Sequence, residues 1–392
     1  MSEAGLQVKR EPLAGRVRFV LLASRDIRRA PVRFGLLGAA IGLLVFLVFF
    51  QQTLLSSLLD SFTGALQNQS GTISVYSFEA RQNLEASALS PDIIARVAAV
   101  PGVDKAGPLG EATLTFLANG RQVDMAVIGA EPGRPGQPTK LISGRPATMP
   151  GEGVASSEAK GLTIGDTVTT SAGGSPVRIV GLTEQSQLNV QPTLFVTFGT
   201  YTTLRKAANP DATVVPPSAV AVIPLPAANP KAVAASINAA LPETAALTRS
   251  EAVANAPGVS STQGSFAIVL ALAVVVVALV TGFFFLILTI QKTPSLTLLR
   301  AVGAPGSYLV RGLIQQVVLV LGVGLVLAVG LVSAATAVIN VGLPLTVDPR
   351  ALVASTMLIV GLSLAGVAFS VWRVLRIEPI HAVSRPGLGG IE

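Results

Sequence analysis

Four long apolar runs and one polar stretch of roughly 200 residues predict an α-helical membrane protein with four transmembrane helices, plus an inserted α+β extracytoplasmic domain between the first and second helices. Half of the residues are apolar and only 12% are charged, and the apolar ones are gathered into uncharged runs rather than spread at the spacing of a soluble core. The formal charge of +7 is a record of topology. Residues 60–264 hold 13 basic and 15 acidic side chains, so the basic excess lies in the short flanking segments, as the positive-inside rule requires of cytoplasmic loops. No nucleic-acid partner is implied.

Residues 1–31 read as a cytoplasmic tail and an interfacial amphipathic helix. In RVRFVLLASRDIRRAPVRF, Val17, Val20, Leu21 and Ile27 share one helical face, and Arg16, Arg18, Arg25, Arg28 and Arg29 surround it, a pattern that seats a helix among anionic lipid head groups. Transmembrane helix 1 follows at 32–59, uncharged from Phe34 to Leu59. It is too long for the apolar region of a signal peptide, and no A-x-A-like cleavage site follows LSSLLDSF, so it is expected to be an uncleaved anchor. Gly38 and Gly42 form a G-x-x-x-G pair, either a site of helix packing or a coincidence in a Gly-rich span.

Residues 60–264 are the extracytoplasmic domain. SPDIIARVAAVPGV reads as a short helix with Ser90 as N-cap, Pro91 at the first position, Ile93, Ile94 and Val97 on one face, and Pro101-Gly102 as the stop. NPKAVAASINAALPET repeats the plan with Asn229, Pro230, Val233, Ile237 and Pro242, so the domain is expected to contain two related helix-strand units. Between them, TLTFLANGRQVDMAVIG alternates about Asn119-Gly120 and VTTSAGGSPVRIVGLT about Gly173-Gly174, both hairpin signals. TLFVTF and AVAVIPL are further strand candidates. The Pro- and Gly-rich stretches near 132–151 and 207–217 read as surface loops.

Transmembrane helix 2 is placed at 265–291, helix 3 at 312–338 and helix 4 at 351–372, with an outer link at 339–350 and a basic cytoplasmic tail at 373–392. Both termini are then inside the cell membrane. The segment 292–311 carries Lys292, Arg300 and Arg311 and no acidic residue, which puts it inside. Leu296, Leu299 and Val302 fall at helical spacing, and Gly303, Pro305 and Gly306 punctuate them. It reads as a coupling element on which a separate motor chain pushes, or as an ordinary cytoplasmic loop.

Several chemistries are excluded. The chain has no cysteine, hence no disulfide, thiolate nucleophile or Cys-based metal site. It has no G-x-x-x-x-G-K-[ST] loop to cradle phosphates, so any nucleotide is hydrolysed by another chain. From Phe34 onward in helix 1, and throughout helices 2 to 4, the spans contain no Asp, Glu, Lys, Arg or His, which argues against a proton relay or ion-coupled transporter. The single histidine, His381, sits in the C-terminal tail, and a zinc site is not expected. Glu79, Glu85 and Asp124 lack the spacing of an acid/base pair, so no catalytic residue is assigned. What is left is mechanical coupling.

Four stretches resemble a known family. TIQKTPSLTLLRAVGAPGSYLVRGLIQQ is similar to the loop between the second and third helices of FtsX/MacB-like (type VII) ABC transporter permeases. VLRIEPIHAV is similar to their C-terminal ending, with Glu378-Pro379 and Ile380-His381 in place of the commoner residues. LSPDIIARVAAVPGVDKAGP and GVASSEAKGLTIGDTV are similar to their extracytoplasmic core. The resemblance, which covers nearly the whole chain, implies a dimer of permease subunits, a homodimer in the simplest case, in contact with membrane lipids and with ABC ATPase subunits that carry ATP and Mg. It also implies that Leu298, Leu299, Arg300, Ala301, Val302 and Gly303 contact the ATPase, and that Leu54 to Gln69 act as a stalk.

Within the family, TIQK at Thr289 to Lys292 after FFF, and SALS at Ser87 to Ser90, resemble the haem-efflux permeases. This implies haem as a candidate substrate, with Tyr76, Glu79 and Met125 as candidate contacts, although the extracytoplasmic region has no histidine to serve as an axial ligand. Tyr76 reads first as a strand residue packed on the stalk and only second as a ligand. The leading expectation is thus a permease subunit, not itself an enzyme, that couples ATP hydrolysis by a partner to efflux of a hydrophobic or amphipathic substrate. The alternatives are an FtsX-like signal transducer that activates a cell-wall hydrolase, and an adhesion protein whose outer domain only binds.

Overall fold

The computed structural model describes residues 31–171, 173–301, 306–338 and 347–375. The amphipathic segment before Pro31, residues 339–346 of the outer link and the tail after Leu375, with His381, lie outside them. The first helix, α1 (Pro31–Asn68), runs past Asp60, where its apolar stretch ends. Its last turns stay helical because they have packing to gain: Ala65 and Leu66 are buried against the sheet.

The chain divides into two compact units. In the first in chain order after α1, eleven strands form one sheet of two lobes. β1 (Ile73–Ser77), α2 (Ile93–Ala98) and β2 (Val103–Ala118) make a β-α-β unit. β3 (Arg121–Ala130), β4 (Leu141–Gly144), β5 (Glu152–Ser156), β6 (Thr167–Thr170), β7 (Val177–Thr183), β8 (Gln187–Leu188), β9 (Gln191–Thr197) and α3 (Phe198–Ala208) follow. β10 (Ala219–Pro224), α4 (Pro230–Ala240) and β11 (Thr244–Thr248) then form a second β-α-β unit, closed by α5 (Arg249–Ala254).

The two β-α-β units interleave in the order β11-β1-β10-β2, every neighbour antiparallel. This is the split β-α-β, ferredoxin-like arrangement. Both helices cover one face, where Ile93 and Val97 from α2 and Val233 and Ile237 from α4 meet Ile73, Val75 and Val222 of the strands. The two helix plans legible in sequence are therefore equivalent halves of one lobe. Asn229 caps α4 by accepting the Lys231 amide at 2.9 Å. Ser90 does not cap α2: Asp92 holds the cap position and the Ser90 hydroxyl donates to its carboxylate.

The second lobe is a ring. β2 pairs with β3, β3 with β9, β9 with β5, β5 with β7, β7 with β6, and β6 returns to β2. Closure leaves an interior filled by Phe116, Met125, Val127, Val168, Ile179 and Leu194, with Tyr201 and Leu204 of α3 against it. The β2–β3 turn has Asn119 at φ 49° and Gly120 at φ 76°, the two left-handed residues of a type I′ hairpin. The stretch near 132–151 is not all loop: Leu141–Gly144 forms β4 on β7, and Ala147 is buried.

The second unit holds the apolar part of α1 with α6 (Val259–Ala301), α7 (Gly306–Val338) and α8 (Pro349–Leu375). Among the described residues these are four helices long and apolar enough to cross a membrane. Ile41, Val48 and Phe49 of α1 share a core with Val277 of α6, Val317 and Val320 of α7 and Ile359 of α8. The segment expected as the loop 292–311 is mostly helix, since α6 continues to Ala301 and α7 starts at Gly306.

Candidate functional site

In the sheet-bearing unit, the C-terminal end of α1 enters a joint between the two lobes. Asn68 is 1% exposed. Its amide nitrogen donates to Thr183 Oγ1 at 2.8 Å, to the Glu184 carbonyl at 3.2 Å and to the Ser186 hydroxyl. Its side-chain oxygen accepts from the Lys140 amide at 2.8 Å and from Thr139 Oγ1 at 2.9 Å, and its main-chain carbonyl accepts the Thr139 amide at 2.8 Å. All these partners flank β4 and β7, so Asn68 is fixed to the ring lobe.

The next residue is held by the other lobe. Gln69 Nε2 donates to Ser74 Oγ of β1 at 3.1 Å. Arg249, the first residue of α5, donates from one Nη to the carbonyls of Gln69 and Gly71, both at 2.8 Å, and its amide donates to the Thr72 carbonyl at 2.8 Å. Burial lowers the pKa of its guanidinium. Two consecutive residues at a helix end are thus fastened to different lobes, and their hydrogen bonds are shielded from competing water.

A third contact grips α1 about two turns earlier. The β8–β9 turn has Asn189 at φ 50° and Val190 at φ 66°, and their amides donate to the carbonyls of Phe62 at 3.1 Å and Ser61 at 2.9 Å. A β-branched residue in the left-handed region is strained, and the two hydrogen bonds to the helix hold it there. Gly64 admits the adjoining loop: a Cβ on it would lie 2.6 Å from the Gln185 carbonyl oxygen. Among the described residues no cluster of His, Cys, Asp or Glu could hold a metal.

Glu111 on β2 lies beside Ser218, whose hydroxyl accepts the Glu111 amide at 3.0 Å. It is 3% exposed, and neither carboxylate oxygen has a hydrogen-bond partner. Burial, with the charge of Glu85 adding to it and Arg205 opposing, pushes the carboxyl up to about 7.

The structure does not bring the sequence-derived haem contacts together. Tyr76 is 1% exposed, packed in the same cluster as Leu66, Leu84 and Leu109, and burial pushes its phenol up to about 12. Met125 is 0% exposed inside the ring. Both therefore lack the surface a ligand needs, because β1 and this part of β3 are covered on both faces. Glu79, on the exposed turn Phe78–Ala80, is accessible. Of the coupling residues, Leu298, Leu299, Arg300 and Ala301 lie in α6, and Val302 and Gly303 lie outside the described residues. Gly38 and Gly42 face α7, where Val323, Gly324 and Leu327 approach them.

Asn68 and Arg249 escaped the sequence reading. The one signal was an Asn-Gln pair followed by Gly71 where an apolar helix stops, a common C-terminal pattern that says nothing of its partners in space.

Residues 267–379 match the family model described as FtsX-like permease C-terminal. The chain is 32% identical over 120 residues to the "Putative hemin transport system permease protein HrtB" of Staphylococcus haemolyticus, covering 30% of this chain and 32% of that one. It is 37% identical over 109 residues to an uncharacterized ABC transporter permease of Mycobacterium tuberculosis, covering 27% and 30%. The matches thus span about a third of the length of these relatives. The periplasmic region of MacB from Actinobacillus actinomycetemcomitans aligns with 12% identity and a TM-score of 0.33, over 46% of this chain and 90% of that structure.

Proposed function

We propose, from the match of residues 267–379 to the family model described as FtsX-like permease C-terminal, that this chain is the permease subunit of an ATP-driven ABC exporter. The family match is the observation that carries the reading. A separate ATPase hydrolyses ATP, and the end of α6 with the segment to Gly303 receives its motion on the cytoplasmic side. Two permease copies pair in the cell membrane, with both termini inside and the sheet-bearing unit outside.

The joint supports a mechanical role. A displacement of α1 along its axis reaches the ring lobe through Asn68 and the split β-α-β lobe through Gln69 and Arg249. The lobes are joined by the continuous strand β2, so a pull on both ends of the joint changes the angle between them, a hinge motion of packed bodies. No central tunnel is needed for such work.

The substrate is hydrophobic or amphipathic, taken from the membrane, with haem as the candidate that the hemin-transport relative suggests. Glu79 is the exposed group of the three named contacts.

The test is the ATPase rate of the purified permease with its genomically adjacent ATPase in lipid nanodiscs, with haem titrated in and the Soret band followed. Stimulation with a shifted Soret band that Glu79→Ala removes supports haem export. An active complex indifferent to haem keeps the permease and removes haem. No association with any ATPase overturns the reading.

A further inference from the structure

We propose that the cleft between the start of α1 and the end of the apolar part of α6 is a binding site for one anionic glycerophospholipid, its head group on Arg33 and an acyl chain in the groove below. The inference depends on the helices crossing a membrane and not on what the protein transports.

The level of the site follows from charge. Arg33 is the last charged residue before the uncharged run of α1, and Gln291 ends the uncharged run of α6 just before Lys292. The two helices run in opposite senses, and the Arg33 guanidinium donates to the Gln291 side-chain oxygen, so these ends are level with each other. An arginine at the end of an apolar span lies at the head groups. Below this pair a groove of about 680 Å³ opens between the helices.

Its walls change character with depth. Leu36 and Leu37 lie one turn below Arg33; Ile287 and Leu288 lie one turn below Gln291, and Phe284 one turn further. At a 1.5 Å rise the apolar wall extends about 10 Å beneath the arginine, the geometry of a lipid's upper acyl chain. Among the described residues no acidic side chain lines the groove. Arg33 is exposed, and among the described residues it bonds only a neutral amide, so a head group of net negative charge is favoured over a zwitterionic one, whose cation offsets its phosphodiester. Basic pockets between membrane helices on the cytoplasmic side select anionic lipids for this reason.

The full chain in mild detergent is mixed with phosphatidylglycerol, with phosphatidylcholine of the same acyl chains, or with inorganic phosphate, and read by native mass spectrometry and thermal unfolding. Phosphatidylglycerol is expected to bind one per chain, about fivefold more tightly than phosphatidylcholine, and to raise the unfolding temperature, whereas inorganic phosphate does neither. Arg33→Gln, an exposed substitution that keeps a donor for Gln291, should abolish the head-group preference, and Arg33→Lys should restore it. Leu37→Trp should fill the groove and lower binding of both lipids. Equal binding of the two lipids, a preference that survives Arg33→Gln, or stabilisation by phosphate alone overturns the proposal. So does a Leu37→Trp protein that binds lipid as before but changes its oligomeric state, since a second copy would then cover the groove.

Discussion

A Cβ placed on Gly42 would lie 2.9 Å from the carbonyl oxygen of Gly324 and 2.8 Å from Cδ2 of Leu327. The helix backbones of α1 and α7 therefore touch at this level, with a glycine on each side. Gly42→Val must push α7 away, since backbone cannot rotate out of reach, and should cost about 1–3 kcal/mol. Gly38→Ala meets only a side-chain methyl of Val323 at 3.3 Å and should cost less. Thermal unfolding of the two variants in detergent checks the order.

Asn68→Ala removes the partner of the Lys140 amide, Thr139, Thr183 and Ser186 at one stroke. Unsatisfied buried groups cost about 1–3 kcal/mol each, and water entering the space recovers part of it, so a loss of about 3 kcal/mol is expected. Asn68→Asp keeps the acceptor oxygen but presents a carboxylate to the Glu184 carbonyl and should be nearly as damaging. Urea unfolding followed by tryptophan-independent far-UV signal measures both; wild-type stability in Asn68→Ala would remove the joint from the account.

Val190 sits at φ 66°, a conformation glycine adopts without penalty. Val190→Gly keeps both amide bonds to α1 and relieves the strain, so stability should rise by about 1 kcal/mol. The reading is a higher unfolding temperature. A lower one would mean that the half-exposed valine side chain contributes more by contact than its backbone costs.

Glu111 gives stability a pH dependence of unusual sign. Its carboxyl is raised from 4.5 to about 7 in the folded protein, so between these values the folded state keeps a proton that the unfolded chain has released. Stability therefore falls as pH rises from about 4.5 through 7, by up to about 3 kcal/mol. Glu152 acts oppositely: hydrogen bonds from Arg145, with those of the Thr148 and Met149 amides, hold it at about 2, so its contribution is present above 4.5 and is lost as pH falls towards 2. Glu111→Gln should flatten the fall on the neutral side and leave the acid limb in place, as read by denaturant midpoints from pH 3 to 8.

Arg300→Glu reverses a charge at the end of α6, where the proposed ATPase contact lies. Efflux and substrate-stimulated ATPase activity should fall at least tenfold while membrane abundance is retained, an order of effect expected when about 1.4 kcal/mol or more of contact is lost. Undiminished activity would place the contact elsewhere.

The membrane helices, the two related helices α2 and α4, and the Asn119-Gly120 turn were legible because each rests on local pattern: an uncharged run, an apolar face at helical spacing, a pair of residues that tolerate positive φ. The ends of α1 and α6 were not, since hydropathy marks where apolar residues stop and says nothing of a helix that goes on to pack elsewhere. β4 was lost because four residues among prolines and glycines carry too little periodicity. Tyr76 and Met125 looked available for ligation because residue type is visible in a sequence and burial is not. The joint was illegible for a deeper reason: Asn68 meets Lys140 and Thr183 only once strands distant in sequence have found one another.

That distance shapes how the protein is made. β1 pairs only with β10 and β11, and the entire ring is encoded between the two halves of the lobe it interrupts. A ribosome adding about 5–20 residues per second takes roughly 10–30 s to go from Ile73 to Val222, and for that interval β1 and α2 exist without the strands that cover them. The ring, whose strands all come from β2 to β9, can close first and hold β2 ready as a template. Newborn chains cut short before β10 should accordingly carry a folded ring beside an exposed, chaperone-dependent half-lobe.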